Sequence, residues 1–457
     1  MKFDKDIFKA YDIRGLSPEE LSPKVAFAIG RAFADFVPTG KIAVGRDMRS
    51  DSAELAEALI AGLLKQGREV TNLGLITSDT MYFAVGSLKL AGGAMITASH
   101  NPGAYDGIKL TGLGVVPIGI DSGLLTIEEE ITADTFKDVS QSGTLTTQEI
   151  TSEWVEHALN IAGKIQQPLK VGIDFGNGMA SLYLKDLQAK TPLHIEYLYQ
   201  TLDGTFPNHV ANPLLPENTK DIRKLVKSRQ LECGIAFDGD GDRAFFCDES
   251  GTMLSGSELG ALLAIHILKK NPGATILYNA VCSRIVPQTI EVYGGKAIRT
   301  KVGHSFIKAE MRKHTAVFAC EHSGHFYFAD NYNADSGLIA ALMLLHVLSA
   351  SKESLSEMVA PLRNQYIQSG EINITSKDIP ADLEKIKQAF SDGKIDELDG
   401  ITINYPHYWV NVRPSNTEPL LRINIEAEDP TVLESTKQKI EHLLAKKPLS
   451  ELSLSVQ

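Results

Sequence analysis

The sequence contains few cysteines, no long apolar run and no excess of basic residues, and each shortage excludes a class of protein. Its four cysteines show neither CxxC spacing nor the framework of a secreted disulfide protein, so we expect a reducing, cytoplasmic setting. The longest apolar run, residues 338–345, is too short to cross a bilayer and predicts a buried helix. The chain begins with an acidic segment, residues 1–6, that is unlike a signal peptide.

Acidic residues outnumber basic ones. The 57 Asp and Glu against 45 Lys and Arg give a formal net charge of −12, which disfavours a nucleic-acid partner bound by bulk electrostatics. An anionic substrate would have to be held by local basic groups. We expect a small-molecule ligand and neither a nucleic-acid nor a membrane partner. We also expect a monomer or a weak dimer.

The chain of 457 residues is too long for a single hydrophobic core. In three places, residues 41–66, 169–187 and 274–293, an apolar strand leads through a Gly- or Ser-bearing loop into an amphipathic helix. Strands that alternate with helices predict α/β domains with mixed, mostly parallel sheets. The recurrence indicates three such domains of similar build.

The last part of the chain has a different pattern. Residues 400–405, 408–413 and 420–427 read as successive strands ahead of a closing helix over 430–445, which is typical of an α+β domain with an antiparallel sheet. Polar segments separate these units along the chain. We predict four domains, which cover residues 1–145, 146–252, 253–366 and 367–457.

The most informative segment is Asp-Gly-Asp-Gly-Asp-Arg at 238–243, between two apolar runs that read as strands. Its glycines permit backbone angles closed to other residues, so the loop can curl and direct three carboxylates to one point. Carboxylates this close repel one another unless a hard cation lies among them. Asp238, Asp240 and Asp242 therefore predict a Mg²⁺ site, and Arg243 adds a fixed cation suited to a phosphate.

Two other interpretations of this loop stay open. Its spacing fits a calcium-binding EF-hand with Glu249 as the last ligand, but such a loop needs Gly where Arg243 stands and helices on both sides. An acidic turn in a β-hairpin is the simpler alternative, since Asp-Gly is a strong hairpin signal. Three carboxylates followed by an arginine exceed what such a turn requires.

A second segment, Thr-Ala-Ser-His-Asn-Pro at 97–102, presents the Ser99 hydroxyl at the tip of a tight loop after an apolar strand. As a nucleophile or phosphoryl carrier, Ser99 needs a neighbouring base and a cation. His100 and Lys109 are nearby candidates for these roles. Alternatively, the segment is an Asx turn whose serine only bonds the backbone.

Three further polar clusters indicate ligand binding. Glu-His-Ser-Gly-His at 321–325 suits the hydroxyls of a sugar; a zinc site is the alternative, but the histidines lack i, i+4 spacing. Arg-Pro-Ser-Asn-Thr-Glu-Pro at 413–419, followed by Arg422, combines a guanidinium fork with hydroxyl and amide groups, as in a phosphate cradle. Tyr-Asp-Ile-Arg-Gly at 11–15 is either part of a site or a capping turn before a helix.

These five motifs, in this order between residues 11 and 422, resemble those of the α-D-phosphohexomutases, and most of all the bacterial phosphomannomutase/phosphoglucomutase branch. The resemblance implies four domains around a central cleft and an isomerase that transfers a phosphoryl group between the 1- and 6-positions of mannose and/or glucose phosphates. It also implies an active-site phosphoserine, Mg²⁺, and a hexose 1,6-bisphosphate that serves as intermediate and activator.

The resemblance assigns roles to individual residues. Ser99 matches the phosphorylated serine, which supplies the metal's fourth oxygen beside the three aspartates of the acidic loop. The groups around the reacting hydroxyl are Arg14, Lys109, Arg243 and His304, and the family pattern favours His304 or Lys109 as the base. The substrate-binding residues are Tyr11, Glu321, Ser323, His325, Arg413, Ser415, Asn416, Thr417 and Arg422.

The sugar loop departs from the family pattern at two positions. Cys320 stands where Gly is frequent, and His322 stands where mannose and glucose enzymes often carry Met and glucosamine enzymes often carry Gln. A phosphoglucosamine mutase is therefore one alternative. The others are a Mg²⁺-dependent phosphatase of the haloacid dehalogenase type, whose nucleophilic Asp normally lies near the N-terminus rather than mid-chain like Asp238, and a sugar-phosphate sensor without turnover.

Overall fold

The computed structural model describes residues 3–415 and 420–444. Four β-sheets follow one another along this part of the chain, each with helices packed against it. Three are mixed sheets in α/β domains and the fourth is antiparallel throughout, which confirms the predicted fold class. Among the described residues, no helix is long and apolar enough to span a membrane.

The first domain holds a seven-stranded sheet between helices. Its elements are β1 (Ile13–Leu16), α1 (Pro23–Phe36), β2 (Ile42–Arg46), α2 (Ser52–Lys65), β3 (Val70–Leu75), α3 (Ser78–Ser87), β4 (Gly92–Ile96), β5 (Tyr105–Gly112), β6 (Val116–Ile118), α4 (Leu124–Ala133) and β7 (Leu145–Thr147). The strand order is β1-β5-β4-β2-β3-β7, with β6 paired to β5. Because β7 pairs with β3, this sheet extends two residues beyond the predicted boundary at 145.

The next two domains repeat this build with fewer strands. The second contains α5 (Thr151–Ala162), β8 (Lys170–Asp174), α6 (Leu184–Lys190), β9 (His194–Leu198), α7 (Lys220–Arg229), β10 (Cys233–Phe237) and β11 (Ala244–Asp248). The third contains α8 (Gly256–Lys270), β12 (Thr275–Asn279), α9 (Ile285–Val292), β13 (Lys296–Thr300), α10 (His304–His314), β14 (Phe318–Cys320), β15 (Phe326–Phe328), β16 (Ala334–Asp335), α11 (Gly337–Ser349) and α12 (Leu355–Arg363). The apolar run 338–345 lies within α11 and is buried along its whole length.

The fourth domain has its own hydrophobic core. Its elements are β17 (Ile367–Thr375), α13 (Ile379–Ala389), β18 (Lys394–Asp396), β19 (Ile401–Asn404), β20 (Tyr408–Pro414), β21 (Leu420–Ala427) and α14 (Pro430–Leu444). The three strands and the closing helix expected from the sequence are present. The sequence did not predict β17, because a register shift between Gln368 and Glu371 interrupts its alternation of apolar and polar residues.

Three of the sequence motifs lie where the chain reverses direction within the three α/β sheets. Each sheet is parallel on one side and antiparallel on the other, and the chain changes direction where β4, β10 and β14 lead into β5, β11 and β15. The connecting loops are residues 97–104, 238–243 and 321–325. Three of the five sequence motifs therefore occupy the same place in three similar domains.

The three α/β domains are joined by a buried hydrogen-bond centre at Asp79, in the first turn of α3. Its carboxylate accepts from Thr77 Oγ1 at 2.5 Å, from Tyr183 OH at 2.6 Å and from Ser336 Oγ at 2.7 Å. Tyr183 belongs to the second domain and Ser336 to the third. A continuous hydrophobic core surrounds this centre and contains residues of all three domains.

Candidate active site

A cavity of about 650 Å³ is lined by residues of all four domains. Of the residues expected from the sequence, those that line it are Tyr11, Arg14, Ser99, Lys109, Asp242, Arg243, His304, His325 and Arg422. Those that the structure describes but that do not line it are Asp238, Asp240, Glu321, Ser323, Arg413 and Ser415. Asn416 and Thr417 lie outside the described residues.

The acidic loop is a hairpin between β10 and β11. Strands on both sides exclude the EF-hand alternative, which needs helices. Asp238, Asp240 and Asp242 are at most 2% exposed, and their carboxylates lie within 4.8 Å of one another. The Oδ1 atoms of Asp240 and Asp242 are buried, and no group among the described residues donates a hydrogen bond to either. Clustered carboxylate oxygens in this state fit a bound divalent cation.

Two cations lie against this loop. Arg243 Nε donates to Asp238 Oδ2 at 2.8 Å, and Lys109 Nζ donates to Oδ2 of Asp240 at 2.5 Å and of Asp242 at 2.7 Å. Burial raises the pKa of Asp238 to about 7 in spite of Arg243. At Asp240 the charge and hydrogen bond of Lys109 outweigh burial and lower the pKa. Although burial opposes charge on Lys109 itself, the two carboxylates raise its pKa well above the ordinary value, so it is an ammonium ion.

Ser99 is 5% exposed and lies in the turn between β4 and β5. Its Oγ is 3.2 Å from Asp238 Oδ2 and 3.2 Å from His100 Nδ1. Burial and the cations Arg243 and Arg14 lower the pKa of His100 well below its ordinary value, so this imidazole is neutral. The serine hydroxyl therefore contacts both the acidic loop and a neutral ring nitrogen, which is an arrangement that suits a phosphoryl acceptor.

The first motif also contributes to the cavity wall. Arg14 Nη1 donates to Asn101 Oδ1 at 2.9 Å, which connects β1 with the serine loop. The ring of Tyr11 packs edge-on against His304 of the third domain, with 5.4 Å between the ring centroids. Burial and the nearby ammonium of Lys308 lower the pKa of His304 to about 3, so this histidine is neutral and only weakly basic.

The sugar loop between β14 and β15 is organised around Glu321. This buried carboxylate accepts a hydrogen bond from Ser323 Oγ at 3.1 Å and lies 3.3 Å from His325 Nδ1. The other ring nitrogen of His325 is 3.7 Å from Asp242 Oδ1. Burial opposes the charged imidazolium, but Glu321 and Asp242 together raise the pKa of His325. The Glu321–His325 pair thus holds one imidazole at the cavity with a fixed orientation.

The two departures in this loop both face helix α8. His322 Nδ1 is 3.2 Å from Ser257 Oγ, and the Cys320 side chain packs closely against Gly260, where an added Cβ would lie 2.7 Å from its Sγ. Neither His322 nor Cys320 lines the cavity. Among the described residues, His325 belongs to a possible metal-ligating group but His322 does not, so a zinc site built from both histidines of this loop is not supported.

The guanidinium groups expected to bind phosphate come from neighbouring strands. Arg413 on β20 lies directly opposite Arg422 on β21. Both pair with Glu371 of β17, at 2.9 Å from Arg413 Nη2 and 3.3 Å from Arg422 Nη1. Arg422 Nη2 also donates to Ser415 Oγ at 3.3 Å. Like charges opposite one another in a sheet repel, and Glu371 offsets this repulsion.

The sequence did not point to several residues of the site. Lys308 is fully buried, with Nζ 2.7 Å from Asp335 Oδ1 and 3.8 Å from the centre of the Tyr82 ring. Asp335 and Tyr82 line the cavity. Asp335 lies close enough to Asp242 and His325 to form a second possible metal cluster. The ammonium group of Lys308, however, already offsets the charge of the Asp335 carboxylate. These residues stand alone in the sequence, without a motif, so no local signal could have found them.

Comparison with known proteins accounts for nearly the whole chain. Models of phosphoglucomutase/phosphomannomutase domains match it throughout: alpha/beta/alpha domain I at residues 5–138, domain II at 152–251, domain III at 255–366 and the C-terminal domain at 371–443.

Individual relatives match over similar lengths. The chain is 39% identical to the phosphohexose mutases protein of Xanthomonas campestris, over 96% of this chain and 98% of that protein. It is 38% identical to a phosphomannomutase of Methanocaldococcus jannaschii, over 97% and 98%. The crystal structure of a phosphoglucomutase/phosphomannomutase family protein from Burkholderia thailandensis superposes with a TM-score of 0.90 at 31% identity, over 97% of this chain and 98% of that chain. From its four matched domains and its full-length relatives, the chain belongs to the phosphoglucomutase/phosphomannomutase family.

Proposed function

We propose that this chain is a phosphohexomutase that interconverts the 1- and 6-phosphates of mannose and/or glucose through a phosphorylated Ser99 and a bound hexose 1,6-bisphosphate. The observation that carries the proposal is the position of Ser99, whose Oγ lies 3.2 Å from Asp238 Oδ2 in a cavity that Arg14, Lys109 and Arg243 also line. A hydroxyl beside an acidic cluster and three cations suits phosphoryl transfer, which depends on positioning and charge stabilisation.

Asp238, Asp240 and Asp242 would hold Mg²⁺, together with an oxygen of the phosphorylated Ser99. Bound there, Mg²⁺ would neutralise negative charge on the transferring phosphoryl group. The exclusively oxygen ligands of the cluster favour this ion over a softer metal.

The transfer exchanges one O–P bond for another. A free hydroxyl of the bound hexose phosphate attacks the phosphorus on Ser99, and the bond between phosphorus and Ser99 Oγ breaks as the new bond forms. The sugar hydroxyl gives up its proton and Ser99 Oγ gains one, so the serine is left as a free hydroxyl. Lys109 and Arg243 offset the negative charge of the group in transit. The bisphosphate then turns within the cavity and returns its other phosphoryl group to Ser99.

His325 is the residue that we propose as the base for the sugar hydroxyl. Glu321 lies on its Nδ1 side at 3.3 Å, so Nε2 is directed toward Asp242 and the cavity, as in other sites where a carboxylate orients a catalytic imidazole. The two candidates favoured by the family pattern are less suitable here. Lys109 donates to two carboxylates, and His304 is a weak base.

Arg413 and Arg422 would hold the phosphate that does not react. Their guanidinium groups converge on the same carboxylate, Glu371, and a phosphate oxygen could take a comparable position. Because each end of the bisphosphate must occupy this place in turn, the fourth domain would open and close during the cycle.

We favour mannose and glucose phosphates over glucosamine phosphate as the substrates of this chain. Relatives with full-length matches are named phosphomannomutase and phosphohexose mutases. His322 contacts Ser257 rather than the cavity, so its departure from the family pattern is not evidence for a different sugar. A phosphoglucosamine mutase is the second, less favoured candidate.

A mutase assay with Mg²⁺ and a trace of hexose 1,6-bisphosphate tests the proposal. The values of kcat/KM for mannose 1-phosphate, glucose 1-phosphate and glucosamine 1-phosphate would be compared. Comparable rates for the first two are expected. A clear preference for the third would favour the glucosamine alternative, release of inorganic phosphate without isomerisation would indicate a phosphatase, and binding without conversion would indicate a sensor.

The phosphoserine is tested by substitution. Ser99→Ala should lower turnover by orders of magnitude and leave the fold intact, because only the hydroxyl that accepts the phosphoryl group is lost. Ser228→Ala, at an exposed serine of α7, is the matched control and should behave like the wild type. Near-wild-type turnover of Ser99→Ala would rule out a phosphorylated Ser99 as intermediate.

A further inference from the structure

The backbone of Ser99 is held in an unfavourable conformation. Its φ is 52°, in the left-handed region, which is strained for a residue with a side chain. The neighbouring Gly239 approaches the Ser99 carbonyl so closely that an added Cβ would lie 2.4 Å from the oxygen. A strained loop pressed against the acidic loop needs contacts that fix it, and none of the residues assigned above supplies them to its backbone.

Arg49 supplies these contacts. Its Nη2 donates to the carbonyl oxygens of Ser99 at 2.9 Å and Asn101 at 2.6 Å, and its Nη1 donates to those of Pro102 and Tyr105, both at 2.8 Å. Four carbonyl groups of one turn thus converge on a single guanidinium that is 3% exposed. Buried carbonyls require donors, and the planar fork of five N–H groups serves several at once, as an ammonium cannot.

Arg49 is itself fixed by residues of its own domain and of the second domain. Asp47 accepts from its backbone amide at 2.9 Å and from Nε at 3.2 Å, and Ser52 Oγ holds the same carboxylate at 2.6 Å. From the second domain, the Phe206 ring lies 5.2 Å from the guanidinium carbon, and an added Cβ on Gly204 would meet the Arg49 Cα at 2.5 Å. The guanidinium therefore lies where the serine loop meets the second domain, which carries the acidic loop.

We infer that Arg49 is a positioning residue for phosphoryl transfer, which sets the direction of Ser99 Oγ relative to the acidic loop. The inference rests on the proposed role of Ser99. Arg49 is 3% exposed, and its guanidinium N–H groups are used by four backbone carbonyls and Asp47, so it acts through the serine loop rather than on the substrate. Its loss should slow the transfer step and leave the binding of sugar phosphate nearly unchanged.

Arg49→Lys tests the inference, because it keeps the charge but cannot reach four carbonyl oxygens. We expect kcat for glucose 1-phosphate to fall by about 100-fold, the size of effect that a displacement of about 1 Å produces, with KM within threefold of wild type. Phosphorylation of Ser99 by glucose 1,6-bisphosphate, followed by intact mass, should slow in proportion to kcat. A purely structural role would lower the melting temperature without this selective effect on transfer.

The matched control is Arg68→Lys. Arg68 also donates to backbone carbonyl oxygens, those of Ala34, Val37 and Pro38 at the end of α1, but to none in the serine loop, and it does not line the cavity. Its kcat and KM should stay within twofold of wild type. If Arg49→Lys does not fold, Phe206→Leu decides instead: it removes the ring beside the guanidinium and should lower kcat severalfold with an unchanged KM.

The outcomes separate the two proposals. Turnover in Ser99→Ala would reject the proposed function and, with it, the role of Arg49. Loss of turnover in Ser99→Ala combined with wild-type kcat in folded Arg49→Lys, or in Phe206→Leu where Arg49→Lys does not fold, would reject the role of Arg49 alone.

Discussion

The buried carboxyl group of Asp79 gives the chain a measurable dependence of stability on pH. Burial raises its pKa to about 7, although hydrogen bonds from Thr77, Tyr183 and Ser336 favour the charged form. In the unfolded chain the same group has a pKa of 3.8. The folded chain therefore holds this proton more tightly, so the contribution of Asp79 to stability is greatest below about pH 4, falls as the pH rises toward 7, and changes little above that.

The substitution Asp79→Asn removes this dependence. At 1.36 kcal/mol per pKa unit, the difference between the folded and unfolded pKa corresponds to about 4 kcal/mol at pH 8. The amide keeps an oxygen for Thr77 and Tyr183 but turns an N–H group toward Ser336, which costs about 1 kcal/mol. We expect Asp79→Asn to be more stable than wild type by about 3 kcal/mol at pH 8 and less stable by about 0.5 kcal/mol at pH 4, where the unfolded carboxyl is already partly ionised.

Urea unfolding at the two pH values, followed by tryptophan fluorescence, measures whether the stability difference between Asp79→Asn and wild type changes sign. Trp154 is a suitable reporter because its Nε1 lies 3.3 Å from Tyr183 OH. Asp248→Asn is the matched control: burial works to raise the pKa of Asp248, but Ser250, the Thr252 amide and Arg363 lower it, so this variant should lose stability at pH 8. Equal pH dependence in wild type and Asp79→Asn would refute the reasoning.

Two further predictions concern the site. Arg413→Ala should raise KM for glucose 1-phosphate at least tenfold and change kcat less, since the residue holds the phosphate that does not react; an unchanged KM would show that the clamp lies elsewhere. Removal of divalent ions with EDTA should abolish turnover, and added Mg²⁺ should restore it. Because a ligand that binds only the folded state stabilises it, Mg²⁺ should also raise the melting temperature of the wild type but not that of Asp240→Asn. An equal rise in both proteins would argue against the acidic loop as the metal site.

The motifs made much of the site predictable because each is a short loop that carries its own chemistry. The acidic loop, the serine loop and the sugar loop are local in sequence, and their glycines and flanking apolar strands already indicate a turn at the end of a strand. Three of the four domains followed from the alternation of strands and helices, and the fourth from its run of successive strands ahead of a closing helix. Binding roles at Asn416 and Thr417 stay predictions, because these residues lie outside the described part of the chain.

The residues that escaped prediction are buried charges whose partners are distant in sequence. Asp79 accepts from Ser336, 257 residues away, and the buried Lys308 pairs with Asp335 on β16. Arg49 donates to carbonyl oxygens 50 to 56 residues further on. A lone Asp or Arg has no pattern that identifies it as buried, and its partner is set by how sheets and helices pack.

The amino-acid sequence by itself determined the fold class, the number of domains and the loops that carry the reactive groups, because hydrophobic periodicity and loop composition act over a few neighbouring residues. Only the tertiary structure decided which groups meet: that three hairpin loops from three domains converge on one cavity, that His325 is oriented by Glu321, and that His322 turns away toward α8. The reason is physical. Distances across the cavity depend on how four separately formed sheets pack, and packing is a property of side-chain shapes that no local pattern records.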